Sequence, residues 1–131
     1  MNILGRHLLI ELYDCDRVAL GDPDGVERSL LDAADRARAT VLGHHFHRFE
    51  PQGVSGVVVI AESHISIHTW PEHGYAAVDI FTCGPHMRPE AGVRALAAAF
   101  GSRTVQVTEI ARGLRVDAPV AMSLQPALAR E

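Results

Sequence analysis

The stretch VSGVVVIAESHISIHTWPEHGYAAVDIFTCG, residues 54–84, decides the fold because it contains three strand-like segments joined by short connections. Residues 57–60 are apolar, and residues 65–70 and 75–82 follow as two further strand-like runs. Connections this short favour antiparallel pairing. The central segment, residues 61–72, also carries two carboxylates, two serines, two histidines and a tryptophan. A purely structural strand gains nothing from so many reactive side chains, so this segment is predicted to be a functional site.

The segments on either side complete an alternation of strands and helices. The pattern predicts a first strand over residues 6–13, a helix over 24–41 with a stop at Gly43, a short strand over 45–49, a second helix over 89–100 and a last strand over 104–110. This order predicts an α+β two-layer sandwich, with an antiparallel sheet and two helices on one of its faces. Because residues 57–60 are apolar on both sides, the other face needs cover. We expect a dimer that packs sheet against sheet into a four-layer αββα assembly.

Composition narrows the class of protein. The 131 residues predict one domain over residues 1–131, of which 117–131 form a loose end or a strap. The net charge of −4 speaks against a nucleic-acid partner. Two cysteines do not make a disulfide framework. The sequence has neither a secretory signal pattern nor an apolar run of about 20 residues, so we expect a cytoplasmic protein without a membrane partner.

Several segments together resemble a known family. Residues 61–72 and the run Phe81-Thr82-Cys83-Gly84 are similar to the small bacterial and archaeal S-adenosylmethionine decarboxylases. The resemblance extends over residues 5–113 and includes the segments GRHLL (5–9), ATVL (39–42), PQGVSG (51–56) and VTE (107–109). Residues 43–45 and 85–88 follow the family less closely, and the tail does not follow it at all.

The resemblance implies a proenzyme that makes its own cofactor. Self-cleavage is expected between Glu62 and Ser63, when the serine attacks the preceding carbonyl, forms an ester and undergoes β-elimination to a pyruvoyl group. The products are chains of 62 and 69 residues. By resemblance, Ser55 assists the acyl shift, His68 takes the Cα proton of the serine, and Cys83 protonates the substrate after decarboxylation. A neutral thiol suits that last role, since its reference pKa is about 8.5.

The resemblance also implies the substrate and the partner. The expected reaction is the decarboxylation of S-adenosylmethionine by a pyruvoyl-dependent carboxy-lyase, whose product serves spermidine and polyamine biosynthesis. Glu72 is expected to bind the ribose hydroxyls, while Phe49 and Trp70 enclose the adenine. Aromatic faces also suit a sulfonium cation. In the family both subunits of a homodimer contribute to each site, which agrees with the need to cover the second sheet face.

Alternatives to this function remain open. One is a pyruvoyl-dependent decarboxylase of the same family that acts on arginine or ornithine; loss of Glu72 or of the aromatic pair would favour it. The other is a binding homologue that never cleaves, which loss of Ser63, His68 or Cys83 would favour. All of these residues are present.

Individual residues have simpler interpretations as well. Cys83 taken alone is more typical of a small buried hydrophobe. His44, His45 and His47 lack a completing carboxylate or cysteine at a familiar spacing, so no metal site is predicted. Strand alternation places His68 on the opposite face from Ser63. We therefore expect Ser63 to lie in a turn just before the regular strand.

Overall fold

The computed structural model of the protein describes residues 3–114. Its elements are β1 (Gly5–Tyr13), α1 (Arg17–Leu20), α2 (Pro23–Arg36), β2 (Val41–Arg48), β3 (Val54–Ile60), β4 (Ser63–Trp70), a 3₁₀ turn (Pro71–His73), β5 (Tyr75–Thr82), α3 (Pro89–Ala99) and β6 (Thr104–Arg112). The predicted tail, residues 117–131, lies outside the described residues.

The six strands form one antiparallel sheet in the order β2-β3-β4-β5-β1-β6. Alternate residues of the central strands point to one face, where α2 and α3 cover them. The buried core on this face includes Leu8, Ile10, Val58, Ile65, Ile67, Val78 and Ile80 from the sheet and Val26, Leu30, Val93 and Leu96 from the helices. Burying each large apolar side chain contributes about 1.5–3 kcal/mol. The predicted α+β sandwich with helices on one face is therefore confirmed.

The end of α2 differs from the prediction. Helical spacing extended the helix to Val41, but α2 ends at Arg36, and Arg38 adopts a positive φ of 63°. This left-handed residue turns the chain, and Val41 and Gly43 then belong to β2. Val41 thus continued the helical spacing by coincidence. The short helix α1 was not predicted; the Asp16 side chain caps it by accepting hydrogen bonds from the first-turn amides.

The second face of the sheet has no helix over it among residues 3–114. It carries exposed apolar side chains on several strands, among them Leu9, Val59, Trp70 and Ile110. Polar residues stand between them, including Ser66, His68 and Asp79. We call this surface the open face. It contains most of the reactive side chains that the sequence singled out.

Candidate active site

A two-residue turn joins β3 to β4 at the predicted cleavage point. Ile60 pairs with Ser63 across the hairpin, so Ala61 and Glu62 form the turn. Ser63 is therefore the first residue of β4, and the expectation that it lies in the turn itself is wrong by one position. Its φ is +151°, which residues other than glycine rarely adopt. Such a backbone conformation costs about 1–3 kcal/mol and persists only where its surroundings hold it.

The carbonyl oxygen of Glu62 accepts two hydrogen bonds from one neighbouring residue. The backbone N–H of Cys83 donates to it over 3.1 Å, and the Cys83 thiol donates to it over 3.2 Å. Cys83 follows the last residue of β5, the strand beside β4, which places it next to the turn. Two donors on one carbonyl oxygen are the arrangement that stabilises an oxyanion during acyl transfer.

The Glu62 side chain is buried beneath the same turn. Its carboxylate accepts hydrogen bonds from the Thr40 backbone N–H (3.0 Å), from the Thr40 hydroxyl (3.2 Å) and from His86 Nε2 (2.6 Å). Burial opposes ionisation of this carboxyl group, but the hydrogen bonds outweigh it and hold the pKa of Glu62 below its ordinary value. Hydrogen bonds therefore hold Glu62 at two points, its side-chain carboxylate and its backbone carbonyl.

Ser55 and His68 form a second reactive pair, but at the opposite end of the hairpin. They face each other across β3 and β4, and Ser55 Oγ lies 2.7 Å from His68 Nδ1. Five positions of β4 separate His68 from Ser63, which corresponds to about 17 Å at roughly 3.4 Å per residue. A single chain therefore does not bring Ser55 and His68 to the Glu62–Ser63 bond.

The predicted substrate residues gather around the Ser55–His68 pair. Phe49, Trp70 and Glu72 line one groove of about 290 Å³, and Ser55 and His68 line the same groove. One side of the Trp70 indole is stacked on Tyr75, with ring centroids 5.4 Å apart. Of the predicted site residues, five thus share one groove, while Glu62, Ser63 and Cys83 form a separate group.

A cluster of histidines and one carboxylate occupies the open face between these two groups. His7 Nε2 and His64 Nε2 donate to the same Asp79 oxygen, over 2.6 Å and 2.9 Å, and Ser66 donates to the other oxygen. Burial would raise the pKa of Asp79, but these three hydrogen bonds hold it below its ordinary value.

His7, His64 and Asp79 lie close enough together to be candidate metal ligands, since their possible ligand atoms fall within 4.8 Å of one another. However, Arg112 donates to His7 Nδ1 over 2.7 Å. A guanidinium only donates, so Nδ1 accepts and the ring proton lies on Nε2, which then has no lone pair for a metal. Ligand histidines normally have an acceptor on that second nitrogen, not a donor. The geometry is that of a hydrogen-bonded carboxylate.

Strand alternation places the three histidines of β2 on different faces of the sheet. His44 lies on the helix-covered side and contacts Glu27 of α2 over 3.2 Å, whereas His45 and His47 point to the open face. They do not converge on one point. Sequence reasoning also missed two residues that hold Glu62, namely Thr40 and His86. Neither belongs to a chemical motif, and only the folded turn reveals their partner.

Among residues 3–114, no helix has both the length and the apolar character needed to cross a membrane.

Comparison with known proteins agrees with the geometry. The profile of the S-adenosylmethionine decarboxylase family matches residues 6–113. A protein of Clostridium tetani named S-adenosylmethionine decarboxylase proenzyme is 48% identical over 122 residues, which is 93% of this chain and 96% of that protein. A proenzyme of the same name from Methanococcus aeolicus is 50% identical over 117 residues, covering 89% of this chain and all of the relative.

A solved structure extends the similarity to the fold. The crystal structure of the adenosylmethionine decarboxylase from Aquifex aeolicus superimposes with a TM-score of 0.81 at 32% identity, covering 92% of this chain and 100% of that one. The family match spans most of the chain, and both relatives are close to it in length. The chain therefore belongs to the S-adenosylmethionine decarboxylase family.

Proposed function

We propose that the protein is a pyruvoyl-dependent S-adenosylmethionine decarboxylase that activates itself by cleavage between Glu62 and Ser63. One observation carries the proposal: two donors of Cys83 converge on the carbonyl oxygen of Glu62, beside a serine with a strained backbone. The strain favours attack on this bond, and the donors favour the charge that the attack creates. The names of the relatives support the same activity.

The cleavage chemistry is the one that the resemblance implies, and these contacts support it. Ser63 Oγ bonds to the carbonyl carbon of Glu62, and the C–N bond then breaks, so that the hydroxyl proton ends on the nitrogen of Ser63. A base removes the Cα proton of Ser63, and the Cβ–Oγ bond breaks to release Glu62 as a carboxylate. Tautomerisation and hydrolysis by water replace the nitrogen with a carbonyl oxygen and release ammonia. A pyruvoyl group then caps the second chain.

A pyruvoyl group at residue 63 would supply an electrophilic carbonyl for the substrate amine and a sink for the electrons that the departing CO₂ leaves behind. The remaining work belongs to side chains. The Cys83 thiol lies against residue 62, which supports Cys83 as the donor that protonates the substrate carbon after CO₂ leaves. The groove lined by Phe49, Trp70 and Glu72 offers two aromatic faces and one carboxylate. Such a lining suits a purine, a sulfonium cation and ribose hydroxyls.

The groove also separates this substrate from the alternatives. Arginine and ornithine have no ring for two aromatic side chains to enclose and no ribose diol for Glu72 to bind. Phe49 and Trp70 are exposed at the groove, which leaves their rings available to a ligand. These features favour S-adenosylmethionine over the two amino acids.

A complete site is proposed to require two copies of the chain. His68 is separated from Ser63 by about 17 Å along β4 at roughly 3.4 Å per residue, yet the chemistry needs a base beside Ser63. His68 and Ser55 point to the open face, whose apolar residues also need cover. A sheet-to-sheet dimer covers these residues and brings Ser55 and His68 of one copy toward Glu62 and Ser63 of the other.

The intact mass of the purified protein tests the cleavage. Wild type is expected to yield fragments of 62 and 69 residues, whereas Ser63→Ala stays at 131 residues. A wild-type chain that remains whole after prolonged incubation would identify a binding homologue that never cleaves. Decarboxylation of S-adenosylmethionine by the cleaved protein, compared with arginine and ornithine, then tests the substrate.

Complementation tests the shared site. Ser63→Ala and His68→Ala chains with different tags are coexpressed, and mixed dimers are isolated through both tags. If the site is shared, a mixed dimer has one site with an intact Ser63 and an intact His68, so its His68→Ala chain cleaves. If each site lies within one chain, that chain stays as uncleaved as it is alone.

A further inference from the structure

The loop after β5 contacts Glu62 at two points. Cys83, the first residue after the strand, holds the backbone carbonyl of Glu62 through its N–H and thiol. Three residues later, His86 Nε2 donates to Glu62 Oε2 over 2.6 Å. One contact holds the main chain of Glu62, and the other holds its side chain. Glu62 contributes the carbonyl group to the peptide bond at which cleavage is proposed.

The two side chains of the His86–Glu62 contact differ in their exposure to solvent. The His86 side chain is 56% exposed, whereas the Glu62 side chain is only 6% exposed. Glu62 already accepts two hydrogen bonds from Thr40, so its carboxylate is not left unpaired without His86. An exposed partner adds little to stability in such a case. What His86 adds is a second link from the loop of residues 83–88 to Glu62, this one to the side chain.

The attack on Glu62 moves this residue. Its carbonyl carbon becomes tetrahedral as the Ser63 oxygen bonds to it, while the oxygen must stay under the two Cys83 donors. Rotation of Glu62 about its backbone would carry the oxygen away from them. A displacement of about 1 Å can lower a rate by as much as about 10²-fold. A side chain fixed at its far end resists that rotation.

We propose that His86 is a positioning residue for self-cleavage, which holds the Glu62 side chain so that the Glu62 carbonyl remains aligned with Cys83. The inference rests on the proposed function, since it concerns the same peptide bond. The element that matters is the donor at Nε2 and not the ring. After cleavage, the same contact retains Glu62 as the new end of the first chain.

Three substitutions separate the donor from the ring. His86→Ala removes both, His86→Phe keeps a ring without a donor, and His86→Gln keeps an N–H donor near the position of Nε2. His44→Ala is the matched control. His44 is also an exposed histidine beside a glutamate, with side-chain exposures of 38% for His44 and 35% for Glu27, but this pair lies away from the turn.

Self-cleavage is followed by intact mass during a chase after cell-free synthesis of each full-length chain. We expect His86→Ala and His86→Phe to cleave about tenfold more slowly than wild type. His86→Gln and His44→Ala should stay within about twofold. Melting temperatures of the His86 variants in the Ser63→Ala background identify any variant that fails to fold.

The outcomes are distinct. Cleavage of His86→Ala at the wild-type rate overturns the inference. Normal cleavage of His86→Phe together with slow cleavage of His86→Gln also overturns it, because packing of the ring would then be the cause. Either result leaves the proposed function intact as long as wild type cleaves. A wild-type chain that remains at 131 residues overturns both.

Discussion

The two ends of β4 hold their reactive groups in different ways. At the Ser63 end, backbone geometry dominates: a two-residue turn, a positive φ and a carbonyl held by Cys83. At the His68 end, side chains dominate: an exposed histidine, a serine bonded to it and a groove with two aromatic residues. At the first end the Glu62 side chain is buried, while at the second end His68 is exposed.

In the proposed mechanism the two ends of β4 have different tasks. The Ser63 end supplies the bond to be cleaved and its oxyanion donors, while the nearby His64 and His86 are each hydrogen-bonded to a carboxylate. The His68 end is proposed to supply the base and the substrate groove. We therefore expect changes at one end to affect different steps from changes at the other.

The largest effect is expected when the base is removed. His68→Ala should slow self-cleavage by about 10²–10⁴-fold, because proton transfer in the elimination step loses its acceptor. The measurement is the rate of fragment appearance by intact mass, with His44→Ala as the control. Cleavage at the wild-type rate would remove His68 from this role.

A smaller effect is expected from the thiol. Cys83→Ala should slow self-cleavage by about tenfold to a hundredfold, less than the ~10²–10³-fold typical of a lost oxyanion donor, because the N–H of Cys83 remains and a thiol is a weak donor. Cys15→Ala is the matched control, since Cys15 is buried away from the turn. Equal rates for both variants would show that the thiol does not support the oxyanion.

The groove should affect substrate binding without affecting cleavage. Phe49→Ala or Glu72→Gln is expected to raise the KM for S-adenosylmethionine by about tenfold, since each removes one contact of roughly 1–2 kcal/mol. The rate of self-cleavage should stay at the wild-type value. Steady-state kinetics on fully cleaved protein measures the first quantity. Slower cleavage in these variants would contradict the division between the two ends.

The smallest effect concerns acid stability. The pKa of Glu62 is lower in the folded chain than its ordinary value of about 4.3, so its carboxylate stabilises the fold at any pH above that value. This contribution is lost as the pH falls through the lowered pKa. In a Ser63→Ala background, Glu62→Gln should therefore reduce the loss of stability between pH 6 and 3.

Glu72→Gln serves as the control for that experiment, because Glu72 is exposed at the other end of β4. Chemical denaturation at each pH gives the free energy of unfolding. An identical pH dependence in the Glu62→Gln variant and its parent would show that the buried carboxylate does not contribute.

Sequence patterns predicted the sheet and two of the three α-helices found among residues 3–114, because apolar periodicity reports which face of an element is buried. They failed at the end of α2, where the left-handed Arg38 turns the chain although Val41 continues the helical spacing. They also missed α1, which has only four residues and one buried side chain.

The sequence named candidate residues for the site but not their arrangement. The resemblance named Ser63, His68 and Cys83, yet strand length alone keeps His68 far from Ser63 in one chain. The contacts of Thr40 and His86 with Glu62 join residues 22 and 24 positions apart through a turn and a loop. No periodicity encodes such contacts, so they emerge only from the folded chain.

The sheet order has a consequence for the proposed cleavage. A cut between Glu62 and Ser63 would leave β1, β2 and β3 in the first fragment and β4, β5 and β6 in the second. Because β1 lies between β5 and β6, and β3 lies beside β4, the two fragments are interlaced at three strand borders. Cutting the turn removes one covalent connection, but separating the pieces requires breaking all three borders at once. The order of the strands would therefore keep the halves together if the Glu62–Ser63 bond were cut as proposed.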